Sequence, residues 1–252
     1  MIATVWQWLS DPANWRGAGG IGARLGEHLR YSLIVLLIAA AIGIPVGLWA
    51  GHTGRGRLVI AIANAARAIP TIGLLFAIAL WLGPHIHGDL AFTLPSILVL
   101  VLLALPPILA GAYAGVDAIS PAVRDAARGM GLTPMGVLGK VELPLAMPLL
   151  VSGLRSAVLQ VVATATIAAY VGLGGLGRFL IDGLASGQYF VVAAGAALVG
   201  ALALIADLLM AAAQRAATSP GVRAAKKTPR RGKQPRPAPV DPLQPGLSTV
   251  DR

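Results

Sequence analysis

Five stretches of the chain are nearly continuous in apolar side chains, and the polar positions cluster between them instead of alternating with them. Tyr31–Ala50 carries no charged residue, and its length matches the about 20 residues a helix needs to cross a bilayer core. Further apolar runs lie within Leu58–Leu82, Phe92–Val116, Leu145–Val171 and Phe190–Ala213. The second contains Asn64, Arg67 and Pro70, so its first half is expected along the cytoplasmic interface and its span is expected to start near Ile69. Pro95, Pro106 and Pro107 predict kinks in the third. The pattern predicts an all-α membrane protein of about five transmembrane helices. On the first helix, Gly43, Gly47 and Gly51 make two overlapping GxxxG steps. That spacing lets a second backbone come close, although glycine- and alanine-rich helices also produce it by chance.

Composition agrees with the pattern. Of 252 residues, 56% are hydrophobic and only 12% charged, too few to clothe a soluble domain of this length. Cysteine is absent, which excludes disulfides and thiolate metal sites. His85 and His87 share one turn, and no metal-ligand cluster is visible. The opening residues lack the basic and apolar regions of a signal peptide. Trp6, Trp8 and Trp15 suit a membrane interface or an ordinary amphipathic lead-in.

The formal charge of +10 raises the question of nucleic acid, but its distribution answers against it. Arg223, Lys226, Lys227, Arg230, Arg231, Lys233 and Arg236 crowd a proline-rich tail that is expected to be disordered. Beside a membrane helix such a cluster marks the cytoplasmic side and attracts anionic lipid by about 1 kcal/mol per charge. Arg55 and Arg57, then Arg124, Arg128 and Lys140, fall in alternate connections, whereas "GPHIHGD" has no Lys or Arg. The positive-inside rule then places the N-terminus outside and the C-terminus in the cytoplasm; Arg16, Arg24 and Arg30 count against it. Three parts follow: an external or interfacial segment over 1–24, a membrane domain over 25–215, and a basic tail over 216–252.

One polar interruption is too organised for a plain connector: "SPAVRDAARGMGLTPMGVLGKVELP", Ser120 to Pro144. Ser120-Pro121 is a helix start, with a capping residue and then proline at the first helical position. Val123, Ala126, Ala127 and Met130 fall on one helical face, with Arg124, Asp125 and Arg128 on the other. Gly129 and Gly131 end that helix. Thr133-Pro134 repeats the start, and a second short helix is expected to carry Met135, Leu138 and Val141 on one side, with Pro144 opening the fourth span. Two stubby helices with a glycine corner either meet a cytoplasmic partner or pack only on their own bundle.

This stretch resembles the EAA loop of permease subunits of bacterial ABC importers. The family pattern is Glu-Ala-Ala, three residues, Gly, nine residues, Ile, one residue, Leu-Pro; here it stands as Asp125-Ala126-Ala127, Gly131, Val141 and Leu143-Pro144. Asp replaces Glu and Val replaces Ile. "NAARAIPTIGLL" resembles the entry to the family's second core helix, and "VGLGGLG" its glycine-rich external loop. "GLRSAVLQVVATATIAAYVGLGGLGRFLIDG" and "PPILAGAYAGV" resemble the branch that imports glycine betaine, choline, carnitine or proline-type osmoprotectants. The resemblance implies a MetI-like core. It also implies a coupling helix centred on Thr133–Leu138 that sits in a groove of an ATPase subunit, with Gly131 as its corner and Asp125 and Arg128 fixing its base. The implied partners are two ATPase subunits carrying the ATP and Mg²⁺, a second permease copy or paralogue, and an extracytoplasmic substrate-binding protein, in the bacterial cytoplasmic membrane.

Ser156, Gln160 and Thr164 form an i, i+4, i+8 stripe on the fourth helix, and Thr166 and Tyr170 another i, i+4 pair. They line a translocation path or its gate, or hydrogen-bond between helices. Arg155 is placed to snorkel toward the inner surface. Asp207, a lone acid in the fifth helix, either serves as a proton or cation site or reaches the interface or pairs with a base such as Arg67. No GxxxxGK[ST] occurs, so nucleotide hydrolysis is not expected on this chain. The G-x-G-x-x-G spacing of Gly172, Gly174 and Gly177 lacks the βαβ setting of a dinucleotide site. No cofactor and no nucleic acid are expected. The rival to an ATP-driven permease is an ion- or proton-coupled secondary transporter, a class marked by internal repeats and midplane ionisable groups.

Overall fold

Pro70 divides the second apolar run into two helices. It adopts φ −59° and ψ 120°, outside the helical region, and so caps a new helix instead of continuing the old one. The computed structural model describes residues 2–54, 56–66 and 68–217; Arg67 and the basic tail lie outside them. In chain order the helices are α1 (Ile2–Ser10), α2 (Ile21–Thr53), α3 (Gly56–Ala66), α4 (Thr71–Leu82), α5 (Leu90–Asp117), α6 (Pro121–Gly129), α7 (Pro134–Val137), α8 (Leu143–Ala168), α9 (Gly177–Ala185) and α10 (Tyr189–Ala217).

Among the described residues, four helical runs are long and apolar enough to cross a membrane: α2, α5, the run Pro134–Val171 and α10. The five predicted spans are therefore four full-length runs and one short apolar helix. The short one, α4, has 12 residues and rises about 18 Å, well under the roughly 30 Å of a hydrocarbon core. The fourth run is also longer than the apolar pattern implied. The second short helix of the polar interruption does not stop before Pro144; α7 passes through a π-turn at Leu138–Glu142 directly into α8. A proline in a helix removes one backbone donor and crowds the carbonyl four residues back. The wider π-turn just ahead of Pro144 accommodates that loss without ending the helix. Pro95, Pro106 and Pro107 likewise sit inside the single unbroken helix α5, all three buried.

Small residues set the core. Gly43, Gly47 and Gly51 of α2 are buried and face α5: a Cβ added to them would lie 2.9 Å from Ile108 Cγ2, 2.7 Å from Ala112 Cβ and 2.8 Å from Val116 Cβ respectively. Ile108, Ala112 and Val116 are themselves four apart, so the two helices mesh along one seam. Across the opposite side of α5, Gly111 meets Gly153 of α8 so closely that a Cβ on Gly111 would stand 2.7 Å from Gly153 Cα. Thus α5 is the central helix, with α2 and α8 against it, and Val35, Leu100, Ala104, Ile108, Ala157 and Val161 belong to the core they enclose.

The two ends of this bundle differ. At one end the start of α2, the start of α5 and the glycine-rich loop after α8 converge. Gly175 N–H donates to Glu27 Oε2 at 2.8 Å, and buried His28 donates through Nε2 to the Val162 carbonyl at 3.1 Å. The helix α1 reaches this part of the molecule through Trp8, whose ring meets that of Phe179 edge-on with centroids 5.5 Å apart. At the other end lie the close of α2, the close of α5 and the polar interruption.

Candidate functional site

The corner of the interruption is a closed helix terminus. Gly131 takes φ +86°, the left-handed region that glycine adopts without penalty. Its N–H donates to Arg128 O at 2.9 Å and the N–H of Leu132 donates to Ala127 O at 3.3 Å. These two bonds are the Schellman pattern, which satisfies the orphan carbonyls at a helix end. A Cβ on Gly131 would meet nothing within 4 Å, so glycine is required here by backbone conformation and not by space. Beyond the corner, Thr133 Oγ1 accepts from Gly136 N–H at 3.2 Å and caps α7. Ser120 occupies the cap position of α6, but its side chain makes no capping bond; Pro121 starts the helix by its fixed φ.

The exposure pattern reverses much of the helical-face expectation. On α6 only Ala127 is buried; Val123 is 40% exposed and Met130 76%, and Ala126 is exposed. Past the corner Met135 is 75% exposed, Leu138 and Val141 are half-buried, and Val137 is fully buried. Thr133, Pro134 and Pro144 are exposed and Leu143 is half-buried. The apolar face of α6 is thus divided: Ala127 packs inward, while Val123, Ala126 and Met130 stand exposed.

The base of the loop is held by residues that the motif does not contain. Glu142, in the π-turn, is 0% exposed. His52 Nδ1, at the end of α2, donates to Glu142 Oε2 at 2.7 Å. Arg124 Nε stands 2.7 Å from Glu142 Oε1, and Arg124 Nη2 donates to the Val116 carbonyl of α5 at 2.6 Å. One buried carboxylate thus ties α2, α5, α6 and the entrance to α8 into a node. Asp125 and Arg128, expected at the base, instead face each other on the surface at 3.6 Å, with side chains 71% and 55% exposed; such a pair contributes little. Periodicity put Arg124 on the outer face with Asp125 and Arg128. The structure turns it inward, because a buried carboxylate must be paired. The signals for the node were present as a lone Glu in an apolar run and a His at a helix end, but nothing in their spacing joins residues 90 positions apart.

The path candidates are not brought together as a site. Ser156 Oγ donates to Ser152 O at 3.2 Å, Thr164 Oγ1 to Gln160 O at 2.7 Å and Thr166 Oγ1 to Ala163 O at 2.6 Å. Each hydroxyl bonds back to its own helix, so none of these three bonds bridges two helices. Tyr170 is 50% exposed. Ser156 does line a cleft of about 300 Å³ with Pro107, Gly111, Ser152 and Gly153, between α5 and α8. Arg155 neither snorkels nor leaves Asp207 to another base. Its Nε and Nη2 donate to the two carboxylate oxygens of Asp207 at 2.6 and 2.7 Å. This bidentate pair joins α8 to α10, the geometry in which a membrane-embedded charge is tolerated. Among the described residues, no group of three or more His, Cys, Asp or Glu side chains is arranged to hold a metal.

Comparison with known proteins agrees with this architecture. The family model described as binding-protein-dependent transport system inner membrane component matches residues 43–219. The choline transport system permease protein OpuBD of Bacillus subtilis is 34% identical over 193 residues, covering 76% of this chain and 82% of that protein. The osmoprotectant import permease protein OsmW of Salmonella typhimurium is 31% identical over 210 residues, covering 82% and 95%. Among solved structures, the MetNI methionine ABC transporter in inward-facing conformations superposes with a TM-score of 0.67 at 26% identity, over 79% of this chain and 96% of that one. By its helical core, its polar interruption and this match, the chain belongs to the family of binding-protein-dependent transport system inner membrane components, the permease subunits of ABC importers.

Proposed function

We propose that this permease carries a small osmoprotectant of the glycine betaine, choline or carnitine type into the cell, driven by a separate ATPase. The relatives named above and the carnitine transport permease OpuCD of Listeria monocytogenes, 32% identical over 191 residues, support that cargo. The chain works with two ATPase subunits that hold the ATP and Mg²⁺, a second permease copy or paralogue, and an external binding protein. It lies in the bacterial inner membrane, with its N-terminus outside and the polar interruption and C-terminus in the cytoplasm.

The observation that carries the mechanism is the exposed, closed corner on a buried base. Met130 and Met135 present polarizable, adaptable side chains outward, as a surface made to be covered by a partner would. Behind them Glu142 joins the loop to α2, α5 and α8, so a displacement of the corner moves three long helices together. Alternating access follows when the ATPase subunits approach and separate. The rival secondary transporter is not supported: its best relay group, Asp207, is engaged by Arg155. The test is reconstitution of the permease with its ATPase and binding protein in proteoliposomes. Solute uptake that requires ATP and the binding protein is expected. Uptake driven by an ion gradient without ATP would overturn the reading.

A further inference from the structure

A cavity of about 430 Å³ opens at the end of the bundle opposite the coupling corner, between the start of α2, the start of α5 and the glycine-rich loop. Its chemistry is unusual for this chain, which has 5% aromatic and 12% charged residues. Two carboxylates, Glu27 and Asp89, two guanidiniums, Arg24 and Arg30, and the rings of Tyr31 and Phe92 all line it.

The charges are not all spent on one another. Arg24 and Glu27 pair at 2.9 Å, and Glu27 Oε2 also accepts from Gly175 N–H at 2.8 Å. Among the described residues, the Asp89 carboxylate has no ion pair and does not cap α5. Arg30 has no carboxylate partner either; it lies 4.9 Å from the centroid of the Tyr31 ring and donates to Tyr31 Oη at 3.1 Å. A spare anion and a spare cation therefore face one cavity without neutralising each other. Phe92 is 57% exposed. Gly172, at φ +94°, packs against one side of it so closely that an added Cβ would stand 3.2 Å from the ring, and the exposed remainder of the ring borders the cavity.

We infer that this cavity is a receiving site for a small zwitterion whose cationic end is an alkylated ammonium. Phe92 and Asp89 take the ammonium, since a ring face and a carboxylate both attract a weakly hydrated cation. Arg30 takes the anionic end, by the planar fork that matches a carboxylate. The bound pair is close to neutral and its alkyl groups are apolar, so it leaves toward the bundle more readily than a bare ion. The assignment rests on the osmoprotectant reading given above.

The complete transporter in proteoliposomes tests it, with the binding protein saturating, glycine betaine and choline as cargoes, and ATP turnover measured beside uptake. Asp89→Asn and Phe92→Leu should lower uptake per ATP for both cargoes by about three- to tenfold, the range one such contact supplies. Phe92→Tyr should restore it. Arg30→Gln should lower it for glycine betaine and leave choline, which has no carboxylate, unchanged. Equal losses for both cargoes in Arg30→Gln would overturn the zwitterion assignment. Unaltered uptake in all three variants would overturn the site while leaving the osmoprotectant reading intact. A wild-type transporter that carries neither cargo would remove that reading and the site with it. Were the variants instead to raise only the binding-protein concentration needed to stimulate ATP turnover, with uptake at saturation unchanged, the cavity would be a docking surface and the inference would fall.

Discussion

Gly131 shows how much one residue's backbone decides. Its φ of +86° costs other L-residues about 1–2 kcal/mol, while the space around it would admit a side chain. The expected order of transport per ATP is therefore Gly, then Asn, then Ala, then Val, because asparagine tolerates the left-handed region and β-branching does not. Uptake and ATP turnover measured on the four proteins check it. If Ala matched Gly while Asn failed, size and not conformation would govern the corner. Glu142 is the second decisive residue. Removing its charge by Glu142→Gln strands Arg124 beside a neutral amide. Breaking a buried pair in this way costs about 3 kcal/mol, the low end of the usual range because Arg124 keeps 21% of its side chain exposed. The melting temperature in detergent should fall, and adding Arg124→Met should recover part of the loss. A double variant worse than the single one would show that the pair is not the source.

At the scale of elements, the seam between α2 and α5 is the most sensitive packing in the bundle. Gly47 faces both Ala112 Cβ and the Leu109 carbonyl, within 2.9 Å of an added Cβ. Gly47→Val must push two long helices apart, which costs 1–3 kcal/mol or more in a close-packed interior. The neighbouring change Gly54→Ala meets open space and differs only by its left-handed φ of +72°, so it should be milder. Thermal denaturation of the two variants separates interhelical contact from turn strain; equal effects would argue against the seam. The π-turn before α8 matters for another reason. It joins α7 to α8 without a break, so α7 cannot swing independently of α8.

At the scale of the molecule, the two ends of the bundle differ in chemistry. One end offers a mixed-charge cavity and the other an apolar corner on an ionic node, with a glycine-meshed core between them. The absence of cysteine makes the orientation directly measurable. In right-side-out vesicles, Met135→Cys should react with an impermeant maleimide only after lysis, and His87→Cys before it. The opposite pattern would invert the proposed topology. The outward faces of α10, including Leu204, Ile205, Leu208 and Leu209, are exposed in the isolated chain, as expected where lipid or a second permease covers them.

The sequence by itself determined the class of protein, four of its long helices to within a few residues at most ends, the glycine corner with its Thr133 cap, and the family motif. These depend on hydropathy over a window, on caps and on short spacings, all local properties of the chain. It also located Gly43, Gly47 and Gly51, without naming what they touch. Pro70 already marked the break in Leu58–Leu82, close to where α4 starts at Thr71. Only the tertiary structure decided that α7 flows into α8, that Arg124 and not Asp125 or Arg128 pairs with Glu142, and that Asp207 pairs with Arg155. The face of each helix that is buried was equally hidden. In a chain where lipid-facing side chains are as apolar as core ones, the periodicity that marks a buried face in a water-soluble protein is largely erased. Contacts such as His52 with Glu142, or Glu27 with Gly175, join residues 90 and 148 positions apart; they exist only once the helices have chosen their neighbours.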